Sequence, residues 1–156
     1  MKTERVSVKD LAYFPGNPRR GDVAMIAESL KANGQYRPLI VQKSTGHVLS
    51  GNHTLRAAID LGFERIDVVF ADVDDVTAKR IVLVDNRSAD AATYSQDDLA
   101  ALLASVDDFT GTGYTTDDLA RLVAPLPEGF PVLDPDAPGP ERKTVECPEC
   151  GHEFVP

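Results

Sequence analysis

The chain has 156 residues, which suits one core domain with a small appendix. Its hydrophobic content of 42% and charged content of 26% are those of a globular chain; no apolar run approaches membrane-spanning length and no signal-peptide pattern opens it, so a cytoplasmic protein without a membrane partner is expected. The net charge of −9 excludes a generic nucleic-acid coat, yet it is uneven: residues 1–70 carry +3 and residues 71–156 carry −12, so any phosphate chemistry belongs in the first half.

Taken in chain order, Val6 to Val8 alternates with polar neighbours and reads as a short strand. Tyr13-Phe14-Pro15-Gly16-Asn17-Pro18 is turn chemistry. Asp22 can cap a helix over Val23–Asn33, with Val23, Ile26, Ala27 and Leu30 on one face and Gly34 ending it. Leu39–Lys43 and His47–Ser50 read as strands of a hairpin around Ser44-Thr45-Gly46. His53–Leu61 is helical with Gly62 as its stop, and Ile66–Phe70 is a further strand. A helical pattern runs from Asp75 to Val84, where Asp85-Asn86-Arg87 interrupts it. Ser95-Gln96-Asp97-Asp98 comes close to a capping box and opens a helix to about Val106; Thr115-Thr116-Asp117-Asp118 repeats that chemistry for a helix to Val123. The acidic second half reads as solvated helix faces, since the pairs Asp97-Asp98 and Asp117-Asp118 look like helix starts. A Pro-rich linker over 125–143 leads to a tail at 144–156 that contains Cys147-Pro148-Glu149-Cys150-Gly151-His152.

The most informative segment is Leu49-Ser50-Gly51-Asn52-His53-Thr54-Leu55-Arg56-Ala57-Ala58. It has the layout of a strand, a tight turn and a helix start. A helix N-terminus offers free backbone N–H groups and the positive end of the helix dipole, so it can hold a phosphate. Gly51 lets the backbone approach an anion, and His53, Thr54 and Arg56 can add side-chain donors. The alternative is a hairpin exit followed by an ordinary capped helix.

The order of motifs narrows this reading. Asn17-Pro18-Arg19-Arg20 comes first, then a helix ending in Gly34-Gln35-Tyr36-Arg37-Pro38, then Ser50 to Ala58, then a helix broken by Asp85-Asn86-Arg87. In that order the chain resembles, over residues 3–110, the N-terminal domain of the ParB/sulfiredoxin superfamily, and most of all the short ParB-like proteins of actinobacteria and their phages. The resemblance implies an α+β fold, a small mixed sheet with helices, followed by a short helical extension at 111–124.

The resemblance also implies a ligand, a nucleotide (CTP or ATP) with Mg²⁺. It places the nucleobase side at Gly34 through Pro38 (Gly34, Gln35, Tyr36, Arg37 and Pro38) and the phosphates at Gly51, Asn52, His53 and Thr54. Arg19 or Arg20 and Arg87 would face the phosphates, and Asp85 and Asn86 would help to hold Mg²⁺ through the nucleotide. The family's usual Glu-Arg-Arg after the glycine is Asn-His-Thr here, which removes two guanidinium groups; Arg56 compensates if its side chain turns inward. Sulfiredoxins carry their catalytic Cys where this chain has Asn52, so their thiol chemistry is not expected.

A nucleotide-binding module associated with DNA, without the helix-turn-helix of partition proteins, is the leading expectation. An enzyme of the same fold (a nuclease, a weak NTPase or a small-molecule kinase) and a non-catalytic adaptor stay open beside it. The tail resembles one knuckle of a zinc ribbon, with Cys147, Cys150 and His152 as candidate ligands. A closed zinc site takes four ligands, so a protein partner or a second copy of the chain is expected to complete it. Two free thiols on an unstructured tail are the alternative.

Overall fold

The computed structural model of the chain describes residues 2–124, 145–146 and 149–154. Two compact units are present, Met1–Ala124 and Pro125–Pro156. The first is built on a five-stranded sheet in the order β1-β5-β3-β4-β2, with β1 at Thr3–Ser7, β2 at Ala12–Tyr13, β3 at Leu39–Gln42, β4 at His47–Ser50 and β5 at Arg65–Ala71. The sheet is mixed: β5 runs antiparallel to β1 and parallel to β3, while β4 runs antiparallel to β3 and parallel to β2. The α+β class read from the sequence is the observed one.

Alternation along the strands sorts the core onto two faces. Leu39, Val41, Val48, Ile66 and Val68 are buried against one pair of helices, α1 (Val23–Asn33) and α2 (Asn52–Asp60), which adds Leu30, Leu55, Ala57 and Ala58. Leu49 and Ile40 turn to the opposite face and meet Ala78 and Val82 of α3 (Asp75–Ala91). Burying a side chain such as Leu39 or Leu55 stabilises the fold by roughly 1.5–3 kcal/mol. One polar group lies deep in this core: the Gln42 amide donates to the Val73 carbonyl at 3.1 Å and to Asp75 at 3.0 Å and accepts from Thr45 at 2.7 Å.

Local signals place the helix starts. The Asp22 carboxylate accepts from the Met25 amide, the Asp74 carboxylate from Thr77, and the Ser95 hydroxyl from Asp98 at the start of α4 (Gln96–Ala104). Thr115 and Asp118 form a reciprocal capping box on α5 (Thr116–Val123). Gly34 ends α1 at φ 70.

Two expectations are corrected. Tyr13 belongs to β2, a strand too short to show alternation, because its register on Val48 of β4 is set by tertiary pairing. The helix from Asp75 is not interrupted at Asp85-Asn86-Arg87; α3 continues unbroken to Ala91. Asp and Asn cost a helix only tenths of a kcal/mol, and contacts made by these residues outweigh that preference. The turn between α4 and α5 buries Gly111 on α1 within the first unit.

In the second unit, β6 (Val145–Glu146) pairs antiparallel with β7 (Glu153–Phe154), with Val145 opposite Phe154. The Pro-rich stretch 125–143 and Cys147 lie outside the described residues. Among the described residues no helix is long and apolar enough to cross a membrane.

Hydrogen bonds to carboxylates give the first unit a defined response to acid. The Thr77 amide holds Asp74, the Thr110 amide holds Asp108, and the Thr115 hydroxyl and amide hold Asp118, each below the ordinary carboxylate range. Stability from such groups is present above the unfolded-state pKa, about 3.9, and is lost as pH falls through the lower folded values. The urea midpoint is therefore expected to hold above about pH 5 and to fall below about pH 4, with a shallower fall in Asp74→Asn. A midpoint that stays level down to pH 2.5 contradicts this.

Candidate functional site

The turn from β4 into α2 is where the sheet and the helices open a cleft. Gly51 caps α2 in the left-handed region, at φ 95, and a Cβ there would collide with the Leu39 side chain. Only glycine meets both demands. No side chain caps α2, and Leu55 is the first of its residues to donate to Gly51, at 2.9 Å. The amides of Asn52, His53 and Thr54 thus have no intrahelical acceptor, and they sit at the positive end of the helix dipole.

This helix end lines a cleft of about 620 Å³ together with Asn17, Arg19, Arg20, Arg37, Asp85 and Asn86. Residues separated by up to about 70 positions in the chain therefore converge there. The Asn17–Gly21 loop and the middle of α3 form adjoining walls of it. Hydrogen bonds tie these walls together. Arg19 reaches α3, donating to Asp90 at 2.7 Å and to the Asn86 carbonyl at 3.1 Å. Asn86 in turn donates to the Asn17 side chain at 3.2 Å, and Ser50 donates to Asp85 at 3.1 Å. His53 Nε2 accepts from the Gly21 amide at 2.9 Å, so the ring anchors the loop.

Asn52 serves in two ways. Its backbone belongs to the open helix end, while its side chain is buried and fully used: Oδ1 accepts from the Phe14 amide at 2.9 Å and Nδ2 donates to the Val48 carbonyl at 2.8 Å.

The remaining candidates are placed differently. Gln35, with Arg37 and Thr54, lines a smaller cavity beside the cleft. The Gln35 amide also pairs with Asp67 of β5, donating at 2.7 Å and accepting at 2.8 Å, so it fastens the turn to the sheet. Gly34 and Pro38 shape that turn without lining either cavity. Arg56 is not among the residues that line the larger cleft, but it lines an adjoining pocket with Asn17, Arg19, Arg20, Asn52 and His53. It pairs along α2 with Asp60 at 3.1 Å, and this pair raises the Arg56 pKa further above its ordinary value. Arg87 is exposed on α3 and is not among the cleft-lining residues. Cys150 and His152 are exposed in the second unit, and among the described residues no group of three or more His, Cys, Asp or Glu side chains is arranged to hold a metal ion.

Sequence reasoning missed the contacts of Asn17, Ser50 and Asp90, which arise only across the fold, and Met25 and Ile26, which line the smaller cavity. Tyr36, within the Gly34–Pro38 segment expected at the nucleobase side, lines that cavity too and keeps 76% of its surface exposed.

Replacing Asn52 by Ala removes the partner of the part-buried Phe14 amide and one donor to the buried Val48 carbonyl. A loss of about 2 kcal/mol or more in urea unfolding is expected, together with faster hydrogen exchange at the Phe14 and Gly21 amides. Unchanged exchange at both would show that the loop is held independently of Asn52.

Comparison with known proteins places this geometry. A probable plasmid-partitioning protein ParB from Thermus thermophilus is 27% identical over 141 residues, covering 88% of this chain and 47% of that protein. The chain thus spans about half the length of this curated relative. Among solved structures, the C-terminally truncated chromosome-partitioning protein ParB from Caulobacter crescentus, complexed with CTP-γ-S, superposes with a TM-score of 0.58 at 18% identity, over 78% of this chain and 71% of that one. The profile of the family described as the ParB N-terminal domain matches residues 3–87, more than half of the chain and the whole of the sheet together with α1, α2 and most of α3; the chain belongs to that family.

Proposed function

We propose that the cleft at the start of α2 binds a nucleoside triphosphate, CTP or ATP, and that the chain acts as a nucleotide-dependent module in DNA transactions. The observation that carries this reading is the meeting of an uncapped helix N-terminus with Arg19, Arg20 and Arg37 in one cleft. Unpaired amides and guanidinium groups are the donors a polyphosphate needs, and hydrogen bonds to charged groups contribute about 1.5–3 kcal/mol each. Family membership supports the reading, as does the presence of CTP-γ-S in the Caulobacter crescentus relative. The name of the Thermus thermophilus relative supports the association with DNA.

Asp85 and Asn86 suit a Mg²⁺ that arrives with the nucleotide. They offer a carboxylate and an amide, hard oxygen donors too few to hold the ion without phosphates and water. The metal would supply neutralisation of phosphate charge. Of the second unit we propose only that Cys147, Cys150 and His152 form part of a zinc site completed by a partner or a second copy, since a closed site takes four ligands.

In the structure Arg19 is engaged by Asp90, so a phosphate must compete with a carboxylate for it. Isothermal titration with CTP, ATP and GTP in Mg²⁺ is expected to show binding of at least one, weakened roughly ten- to a hundredfold in Arg19→Ala. Absence of heat with all three nucleotides would overturn the proposal.

Removing the competing carboxylate should have the opposite effect. Asp90→Ala is expected to tighten nucleotide binding several-fold, while stability changes little because the pair is largely solvated. Weaker binding in Asp90→Ala would mean that Asp90 holds Arg19 in the binding geometry instead of competing for it.

A further inference from the structure

The cleft does not end at Thr54. A second cavity of about 180 Å³ shares Met25, Ile26, Arg37 and Thr54 with it, so the two form one continuous groove. Their chemistry differs. The larger end presents arginines, amides and a carboxylate, whereas the smaller adds Leu30 and the Tyr36 ring to Met25 and Ile26. Apolar side chains interspersed with a few polar groups, here Ser29, Gln35, Thr54 and Thr112, suit a flat heteroaromatic ring. A groove with one anionic-ligand end and one ring-sized apolar end matches the two halves of a nucleotide.

The outer wall of the small end is the turn Gly111-Thr112-Gly113 between α4 and α5, which lies beyond the family-matched residues 3–87. This turn is clasped to α1 from both sides. Glu28 accepts from the Gly111 amide at 3.0 Å and the Asn33 side chain donates to the Gly111 carbonyl at 3.0 Å. Gly111 lies so close to α1 that a Cβ on it would stand 2.5 Å from the Ala32 Cβ and 2.9 Å from the Asn33 amide nitrogen. At Gly113 a Cβ would stand 2.7 Å from the Met25 sulfur. The wall is therefore backbone, pressed against the Met25 thioether with no side chain between them.

Resting on the reading of the cleft as a nucleotide site, we propose that the Gly111–Gly113 turn and Met25 set the size limit of its ring-binding end. Glu28 is the positioning residue that holds the wall. A single-ring base enters under this wall, and the second ring of a purine meets it. Selectivity between ligands of equal charge then resides in a turn outside the family-matched region, and Arg19 and Arg20 of the larger end contribute affinity without choosing the base.

Binding of CTP, UTP, ATP, GTP and inorganic tripolyphosphate, each with Mg²⁺, separates these roles. The wild-type chain is expected to bind the pyrimidine nucleotides at least tenfold more tightly than the purine nucleotides. Met25→Ala, at a half-exposed position that the core does not depend on, should reduce that ratio threefold or more by admitting purines. Glu28→Ala should reduce it in the same direction by releasing the wall, and Glu28→Gln, which keeps an acceptor oxygen, should restore it. Equal binding of purines by the wild type, or a ratio unmoved by both Met25→Ala and Glu28→Ala, overturns the inference and leaves the cleft as a nucleotide site. Failure of every nucleotide and of tripolyphosphate to bind overturns the reading of the cleft itself, and the inference with it.

Discussion

The buried amide of Asn52 is the joint on which the cleft depends. It sits at the first turn of α2 and holds two other pieces of chain, the Phe14 amide that leads out of β2 and the Val48 carbonyl within β4. The segment from Phe14 to Asp22 contains no helix or strand of its own, so its path must be set by such contacts. With Phe14 fixed, the loop returns over the start of α2, where Gly21 meets His53, and then reaches across to α3 through Asn17 and Arg19. Leaving either Asn52 partner unsatisfied costs on the order of 1–3 kcal/mol, more than any of the exposed ion pairs can return. The side chain of Asn52 thus builds the wall, and the backbone of the same residue contributes to the open helix end that the wall faces.

This construction also shapes the electrostatics. The chain as a whole carries −9, yet the cleft collects three arginines and a helix N-terminus. Its positive potential is partly spent internally. Asp90 engages Arg19, Asp22 and Asp85 line the same cleft, and His53 Nε2 is engaged by the Gly21 amide. An anion entering the cleft would therefore exchange partners with Asp90 as well as gain new ones. The helix dipole contributes about 0.3–1 kcal/mol and a charged hydrogen bond about 1.5–3, so the fate of Arg19 weighs more than the helix end in setting affinity.

What could be read in the sequence follows the range of the signals. The start and stop of α1 at Asp22 and Gly34, and the cap of α5 at Thr115, are written within four residues of where they act, and they coincide with the observed boundaries. The convergence of Arg19, the Gly51 turn and Asp85-Asn86 was legible through the order of motifs, which stands for a fold. The helix break at Asp85 was not, because Asn carries a local stop preference, whereas the contacts of Asp85 with Ser50 and of Asn86 with Asn17 span 35 and 69 positions. For Arg56 a local partner counts as well: Asp60 lies one helical turn away, while Arg56 lines a pocket beside Arg19 and Arg20.

The family-matched region and the functional region have different edges. The match ends at Arg87, where the sheet and its flanking helices supply a scaffold and the charged end of a groove. The groove's other end is closed by a turn whose clasp to Glu28 spans 83 positions. That clasp needs a residue without a side chain at Gly111, because α1 comes within contact of its backbone, and it commits α4 and α5 to the same compact unit. A scaffold that leaves one end of its groove to be walled by a later segment can keep its charged chemistry while that wall alters the shape of what it admits. In this chain the wall is made of main chain held by one carboxylate and one amide, so its position is fixed by hydrogen-bond geometry and its tolerance by the flexible side chain that touches Gly113, Met25.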